Sequence, residues 1–301
     1  MVKEKIYDFI DERVMVIYDR TFPLYIIRGE KNYLVDAGPT AKVPEFFKRI
    51  IHVLSENAGP GQSKIDALLL THSHWDHIGG ASYLQKRFDF EVMASERTVE
   101  LLRKSKVIQL IDRMNQGFKA LIKNRSDIHF TGLNQLGSLT GESEIPVDKG
   151  MELKVFPAPG HTKCSLAYLL TPQKILFPGD AAGLMEPDGT IRPLFFSSYS
   201  DYENSIRTLL DLKAEVMALP HNKPIKGKIK VKSFLEASLR KTREVRDTIQ
   251  EYLAEGRNAT QVSELIYEQE FPNISFMGPR NILIMNLESM VRSVLHELSD
   301  G

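Results

Sequence analysis

Three histidines and an aspartate fall within the six residues His72-Ser73-His74-Trp75-Asp76-His77, between the apolar run Ile65-Asp66-Ala67-Leu68-Leu69-Leu70 and Gly79-Gly80. Imidazoles and carboxylates this dense suit a cation, because buried without one they would carry a large desolvation cost. The apolar run reads as a buried strand, and Ala81-Ser82-Tyr83-Leu84 as the start of a helix reaching about Arg87. Alternate side chains of an extended segment share a face. His72, His74 and Asp76 are therefore expected to point one way, with His77 pointing another way or opening the helix. That geometry offers ligands to two neighbouring metal ions.

Three later residues share one setting. His161 follows Pro159-Gly160, Asp180 follows Pro178-Gly179 and His221 follows Pro220, each at the end of a run that reads as a strand. Strand ends of an α/β sandwich can converge on one edge, where sites tend to lie. With the first four, these residues make five imidazoles and two carboxylates. The set is enough for two metal ions sharing a bridging carboxylate, each with an open position. Zinc, iron and manganese all accept such ligands. The single cysteine, Cys164, reads as a small packing residue.

The elements that must position these groups follow from patterning. Residues 14–18, 24–28 and 32–36 read as a strand meander, closed by Asp36-Ala37-Gly38. Residues 43–55 have helical spacing, and Gly59-Pro60-Gly61 reads as a loop. After a strand at 91–94, Ser95 is a candidate N-cap, and residues 99–123 read as helical, a candidate pocket wall or a surface helix pair. Residues 127–150 are turn-rich, with strands at their edges. Strands follow at 151–158, 165–170, 174–177 and 214–219, with a Pro187-Asp188-Gly189 turn and a helix at 201–212 between them. Beyond about Gly227 only helices are expected, at 231–255, 259–270 and 280–298, broken at Gly256 and Phe271-Pro272-Asn273. The expected division is residues 1–228 as the catalytic unit and 229–301 as a helical subdomain packed over the active site.

Composition narrows the function classes. With 42% hydrophobic and 26% charged residues the chain is an ordinary globular one. Its 39 basic and 39 acidic residues cancel, so neither a nucleic-acid footprint nor a membrane tether is expected, and the partner is a small-molecule substrate. One cysteine, no apolar leader and no membrane-length run fit a cytoplasmic setting.

The pattern His72-x-His74-x-Asp76-His77, followed by His161, Asp180 and His221 in that order, resembles the metallo-β-lactamase superfamily. The resemblance covers residues 10 to about 225. It implies a four-layer αββα sandwich, with a C-terminal helical extension here. It also implies that His72, His74 and His161 hold one metal, Asp76, His77 and His221 the second, and that Asp180 bridges them. In such a site a water shared by two metals ionises near neutral pH, and the bridging hydroxide is the nucleophile. Asp76 would orient that nucleophile or relay its proton. His74 argues against the flavo-diiron branch, which has Glu there.

Outside the ligands, Met93-Ala94-Ser95-Glu96-Arg97-Thr98, Arg113-Met114-Asn115, Phe177-Pro178-Gly179-Asp180-Ala181 and Ile191-Arg192-Pro193-Leu194 are similar to the family's quinolone-signal thioesterases, which act on 2-aminobenzoylacetyl-coenzyme A. That likeness implies a thioesterase pocket roofed by the C-terminal helices. The chain departs at Pro220-His221-Asn222, where Gly-His-Gly is usual, at Lys163-Cys164, and at Leu184, where the relatives carry an acidic residue. A more apolar pocket follows, with Trp75, Leu184, Phe195 and Phe196 as expected walls. The competing readings are a phosphodiesterase or lactonase on the same ligands, and a signalling or partner-binding protein with a vestigial metal site.

Overall fold

A computed structural model describes residues 6–57, 64–141, 143–186, 188–271 and 280–299. The Gly59-Pro60-Gly61 loop, Pro187 and the Pro272-Asn273 break lie outside the described residues. The first half of the chain builds one sheet, in chain order from edge to edge: β1 (Tyr7–Phe9), β2 (Val14–Ile17), β3 (Leu24–Ile27), β4 (Tyr33–Val35), β5 (Ala67–Leu69), β6 (Glu91–Ser95) and β7 (Leu136–Leu139). β1 to β4 are antiparallel, and β4 to β7 run parallel. Parallel neighbours need crossovers. These carry α1 (Val43–Asn57), α2 (Trp75–Ile78), α3 (Ala81–Phe88), α4 (Glu96–Leu102) and α5 (Ser105–Leu121).

The second sheet takes β8 (Glu144–Asp148), β9 (Met151–Pro157), β10 (Leu166–Thr171) and β11 (Ile175–Phe177). A small hairpin, β12 (Leu184–Met185) and β13 (Ile191–Arg192), and α6 (Tyr199–Asp211) precede β14 (Val216–Met217) and β15 (Ile225–Lys226). The sheet order is β15-β14-β11-β10-β9-β8. The chain then continues through α7 (Lys228–Ala254), α8 (Ala259–Glu270) and α9 (Arg280–Ser299).

Strand alternation makes the four layers. Val14, Val16, Tyr25 and Ile27 face the second sheet's Leu153, Val155, Tyr168 and Phe177. Their alternates Met15, Ile17, Leu24 and Ile26 face α1 through Phe46, Ile50 and Val53, spaced along one helix face. On the far side, Ala167, Leu169 and Leu176 turn away from the first sheet and meet α6 together with α7 to α9. Residues from α7 to α9 lie in that same buried cluster, so one core continues from the second sheet into the tail. No helix among the described residues is long and apolar enough to cross a membrane.

Local departures have local causes. Residues 99–123 are not one helix. α4 ends at Leu102, and α5 starts at Ser105 after an extended Lys104. Ser95 does cap α4, its Oγ accepting from Thr98 N at 3.2 Å. The strand expected at 214–219 shrinks to Val216–Met217, leaving the chain up to His221 free to bend over the site.

Candidate metal centre

Strand β5 delivers the first ligands. Beyond it Thr71 and His72 are buried, and His74 is still extended at φ −69°, ψ 148°. There the alternation stops. His77 N and Ile78 N both donate to His74 O, at 3.0 Å, so Trp75–Ile78 winds into a helical turn. The reading that sent Asp76 the same way as His72 and His74 is thus corrected. A helical turn places Asp76 beside His77, and these two group with His221. The turn is pinned from outside. Ala37 N donates to His77 O and Gly80 N to Gly38 O, both at 2.7 Å. A Cβ on Gly80 would lie 2.4 Å from Ala37 O, so this approach needs glycine.

The later ligands arrive from the second sheet. His161 lies past β9, after a Gly160 with φ +117° whose Cβ would meet Tyr202 N at 2.2 Å. Asp180 lies in a 3-10 turn, Gly179–Ala182, after β11. His221 follows β14. The structure thus brings all seven residues together, as two groups: His72, His74, His161 and Asp180, and Asp76, His77 and His221. Within each, one ligand atom per residue lies within 4.8 Å of the others.

Asp180 faces both groups. Its Oδ2 is 3.2 Å from His161 Nε2 and 3.9 Å from His72 Nε2. Its Oδ1 is 3.4 Å from His221 Nε2 and 3.5 Å from His77 Nε2. Asp76 Oδ2 stands 3.6 Å from His221 Nε2 and 3.8 Å from His77 Nε2. His74 Nδ1 and His161 Nε2 are 2.9 Å apart.

A surrounding shell sets the ring orientations. His161 Nδ1 donates to Leu194 O at 2.8 Å and His221 Nδ1 to Thr21 O at 3.2 Å. Asp36, just past β4, accepts from His77 Nδ1 at 2.8 Å, Thr71 N at 2.8 Å and Thr71 Oγ1 at 2.9 Å. Thr71 Oγ1 lies 3.1 Å from His72 Nδ1 and, since it donates to Asp36, accepts the hydrogen bond of the His72 Nδ1–H. Each Nδ1 so engaged turns its Nε2 toward the site, the arrangement that outer partners impose on metal-binding histidines. Sequence reasoning missed Asp36 as a site residue, although Asp36-Ala37-Gly38 at a strand end was a signal; the structure holds this aspartate at φ 57°.

Among the described residues, the buried atoms with no hydrogen-bond partner include three at this site, His72 Nε2, His77 Nε2 and Asp180 Oδ1, besides Gln173 Oε1 elsewhere. Such orphans cost about 1–3 kcal/mol each in a folded protein. All three are on residues of the two groups, and cations that favour imidazole and carboxylate satisfy them. The residues fit the metal ions that the pattern implies.

The electrostatics differ between the groups. Burial, reinforced by neighbouring histidines, holds His72 well below the usual imidazole range. Burial also outweighs Asp180 at His74, down to about 4, and at His161, down to about 3. These rings are neutral ligands in waiting. At His77 burial is opposed by Asp180, Asp36 and Asp76, which win and raise it well above normal. His221 is raised against burial by Asp180 and Asp76. Asp180 itself, despite burial, is held well below the carboxylate range by His77, His221 and His161. A cation at the second group would take the place of protons.

Above the ligands lies a cleft lined by Trp75, Leu184, Leu194, Phe196 and Asn286. Trp75 is 6% exposed and packs on Phe118, ring centroids 4.9 Å apart. Phe196 sits 5.1 Å from the His161 ring. Phe195, expected as a wall, is fully buried and turns into the core against Tyr199 and Tyr202, at a tight turn in which Phe196 N donates to Leu194 O at 3.0 Å. Asn286, from α9, carried no signal in the sequence. Cys164 is buried and supplies no ligand atom to either group.

A sheet sandwich that gathers paired His/Asp ligand groups along one edge is a metal-binding hydrolase scaffold. The chain belongs to the metallo-β-lactamase superfamily, whose family model matches residues 22–221. A Caenorhabditis elegans protein, beta-lactamase-like protein 2 homolog, is 26% identical over 226 residues, which is 74% of this chain and 63% of the nematode one. Hydroxyacylglutathione hydrolase GloC of Haemophilus influenzae is 29% identical over 159 residues, 52% of this chain and 67% of GloC. Among solved structures, a metallo-beta-lactamase family protein of Thermus thermophilus superposes with a TM-score of 0.64 at 20% identity, covering 95% of this chain and 89% of that one, a likeness of fold. Relatives also include exodeoxyribonucleases, so membership points to a hydrolase and leaves open the bond it cleaves.

Proposed function

We propose that the protein is a cytoplasmic hydrolase that uses two metal ions to cleave an ester-like bond, a thioester of the acyl-coenzyme A type. The observation that carries the metal reading is the set of orphaned atoms on His72, His77 and Asp180. His72, His74 and His161 would hold one ion and Asp76, His77 and His221 the other, with Asp180 between them. Bound there, the ions would polarise the acyl carbonyl and lower the pKa of water toward neutrality. Asp76 is the more exposed of the two carboxylates, at 16% against 6% for Asp180. It orients the attacking water and passes its proton outward. Attack at the acyl carbon breaks the C–S bond, and the leaving thiolate needs little protonation. That fits a cleft whose walls, among the described residues, offer no general acid beyond the ligands.

Two features support the ester-like substrate: the apolar walls of the cleft, and the sequence likeness to thioesterases outside the ligands, from which Leu184 is a departure that bears on the acyl group rather than on the bond cleaved. An acylglutathione hydrolase among the relatives supports it further. The test is a substrate panel on zinc-, iron- and manganese-loaded protein. The expected result is turnover of acyl-coenzyme A thioesters ahead of lactones and bis(nitrophenyl) phosphate. Turnover of the phosphodiester alone would replace this reading with the nuclease-like one. A fully loaded protein inert to the whole panel would favour a partner-binding role.

A further inference from the structure

Among the described residues, the cleft over the metal centre has one polar lining residue that is not a candidate ligand, Asn286. Its other walls are Trp75, Leu184, Leu194 and Phe196, and no lysine or arginine lines it among the described residues. Binding chambers are mostly apolar with a few placed polar groups that fix the ligand. Asn286 is such a group, and α9 holds it firmly. Leu283, Leu287, Met290, Val291 and Val294 bury one face of that helix in the shared core. On a neighbouring stripe, at spacings of seven and four residues, stand Asn286, Ser293 and Glu297. Ser293 Oγ accepts from Tyr199 N at 2.6 Å, and Glu297 Oε1 from Ser200 N at 2.7 Å. These are free N–H groups at the start of α6, so α9 docks by capping that helix. The third member of the stripe reaches into the cleft.

We infer that Asn286 is a specificity-determining residue that hydrogen-bonds a neutral polar substituent on the acyl group. The site would then prefer hydroxy- or oxo-substituted acyl groups to plain alkyl ones of the same length. An amide both donates and accepts, so it serves either kind of substituent. A carboxylate on the acyl group would find no lysine or arginine partner on the described cleft walls. This inference rests on the hydrolase reading above.

The test compares butyryl- and 3-hydroxybutyryl-coenzyme A, with calorimetric binding of butyrate and 3-hydroxybutyrate to the metal-loaded protein. The wild type is expected to favour the hydroxylated member of each pair. Asn286→Leu should cut kcat/KM for the hydroxylated thioester about tenfold or more, mainly through KM, and leave the butyryl value within about threefold. It should also erase the binding preference, with metal content and melting temperature unchanged. Asn286→Gln should restore part of the preference. Equal losses for both substrates would show a structural role and overturn the inference, as would a wild type with no preference in binding. A wild type that binds 3-hydroxybutyrate preferentially, loses that preference in Asn286→Leu, and cleaves no thioester would sink the thioesterase reading and leave the role of Asn286 standing.

Discussion

Asp36 shows how much of this site is set by a residue that never meets the cleft. It ties His77 directly and His72 through Thr71, joining one ring from each ligand group to a single carboxylate. Asp36→Asn keeps the left-handed backbone, which asparagine tolerates, but offers one acceptor oxygen in place of two. The expected outcome is a 10–100-fold loss of metal affinity in a chelator competition, with the fold intact. Wild-type affinity would deny Asp36 any part in metal binding. The ligands themselves were legible, because four of them fall in six residues and the other three stand beside Gly or Pro at strand ends. Asp36 was half legible, as an Asp-Ala-Gly at a strand end. Asn286 was not, because nothing local distinguishes an asparagine on a helix from a solvated one. Its place at the cleft depends on lining residues about 65 to 210 positions away.

At the scale of elements, patterning predicted the layers and missed the joints. Alternating apolar residues in the strands announce two-sided burial, and the helices carry their spacing. What could not be read was where an extended segment turns helical. Trp75–Ile78 and the break before Ser105 are decided by partners, such as Asn115 donating to Trp75 O at 3.2 Å. The α6–α7 joint depends on Glu203, which accepts from Arg243 at 2.8 Å, from Arg207 at 2.6 Å and from Tyr199 OH. Burial pushes the Glu203 carboxyl up, but these donors outweigh it and bring it down to about 2. A carboxyl depressed in the folded state stabilises fully above its unfolded value of 4.5, and that contribution fades as pH falls toward 2. Glu203→Gln should therefore cost about 1 kcal/mol at pH 7, discounted for the exposure of both arginines. The difference in denaturant midpoint should narrow steadily as pH falls from 4.5 and be mostly gone by about pH 2. A pH-independent difference would refute the charge argument.

For the whole molecule, the tail is part of the fold. Val231, Leu235, Ile249, Val262 and Leu287 are buried in the cluster that holds Leu169, Leu176 and Ile206 of the sandwich. A chain ended at Gly227 would uncover that face, and an apolar patch of this kind promotes aggregation. The truncated protein is expected to be insoluble or molten by near-ultraviolet circular dichroism, whereas a soluble, metal-binding fragment would show that the sandwich folds alone. The central claim is that the two groups around Asp180 hold two metal ions. Its most direct test is the metal content of the reconstituted chain, beside Asp180→Ala, after exhaustive removal of loosely bound ions. Two ions per wild-type chain and well under one in the variant are expected. A wild type that retains well under one ion per chain, or a variant that retains two, would contradict the claim.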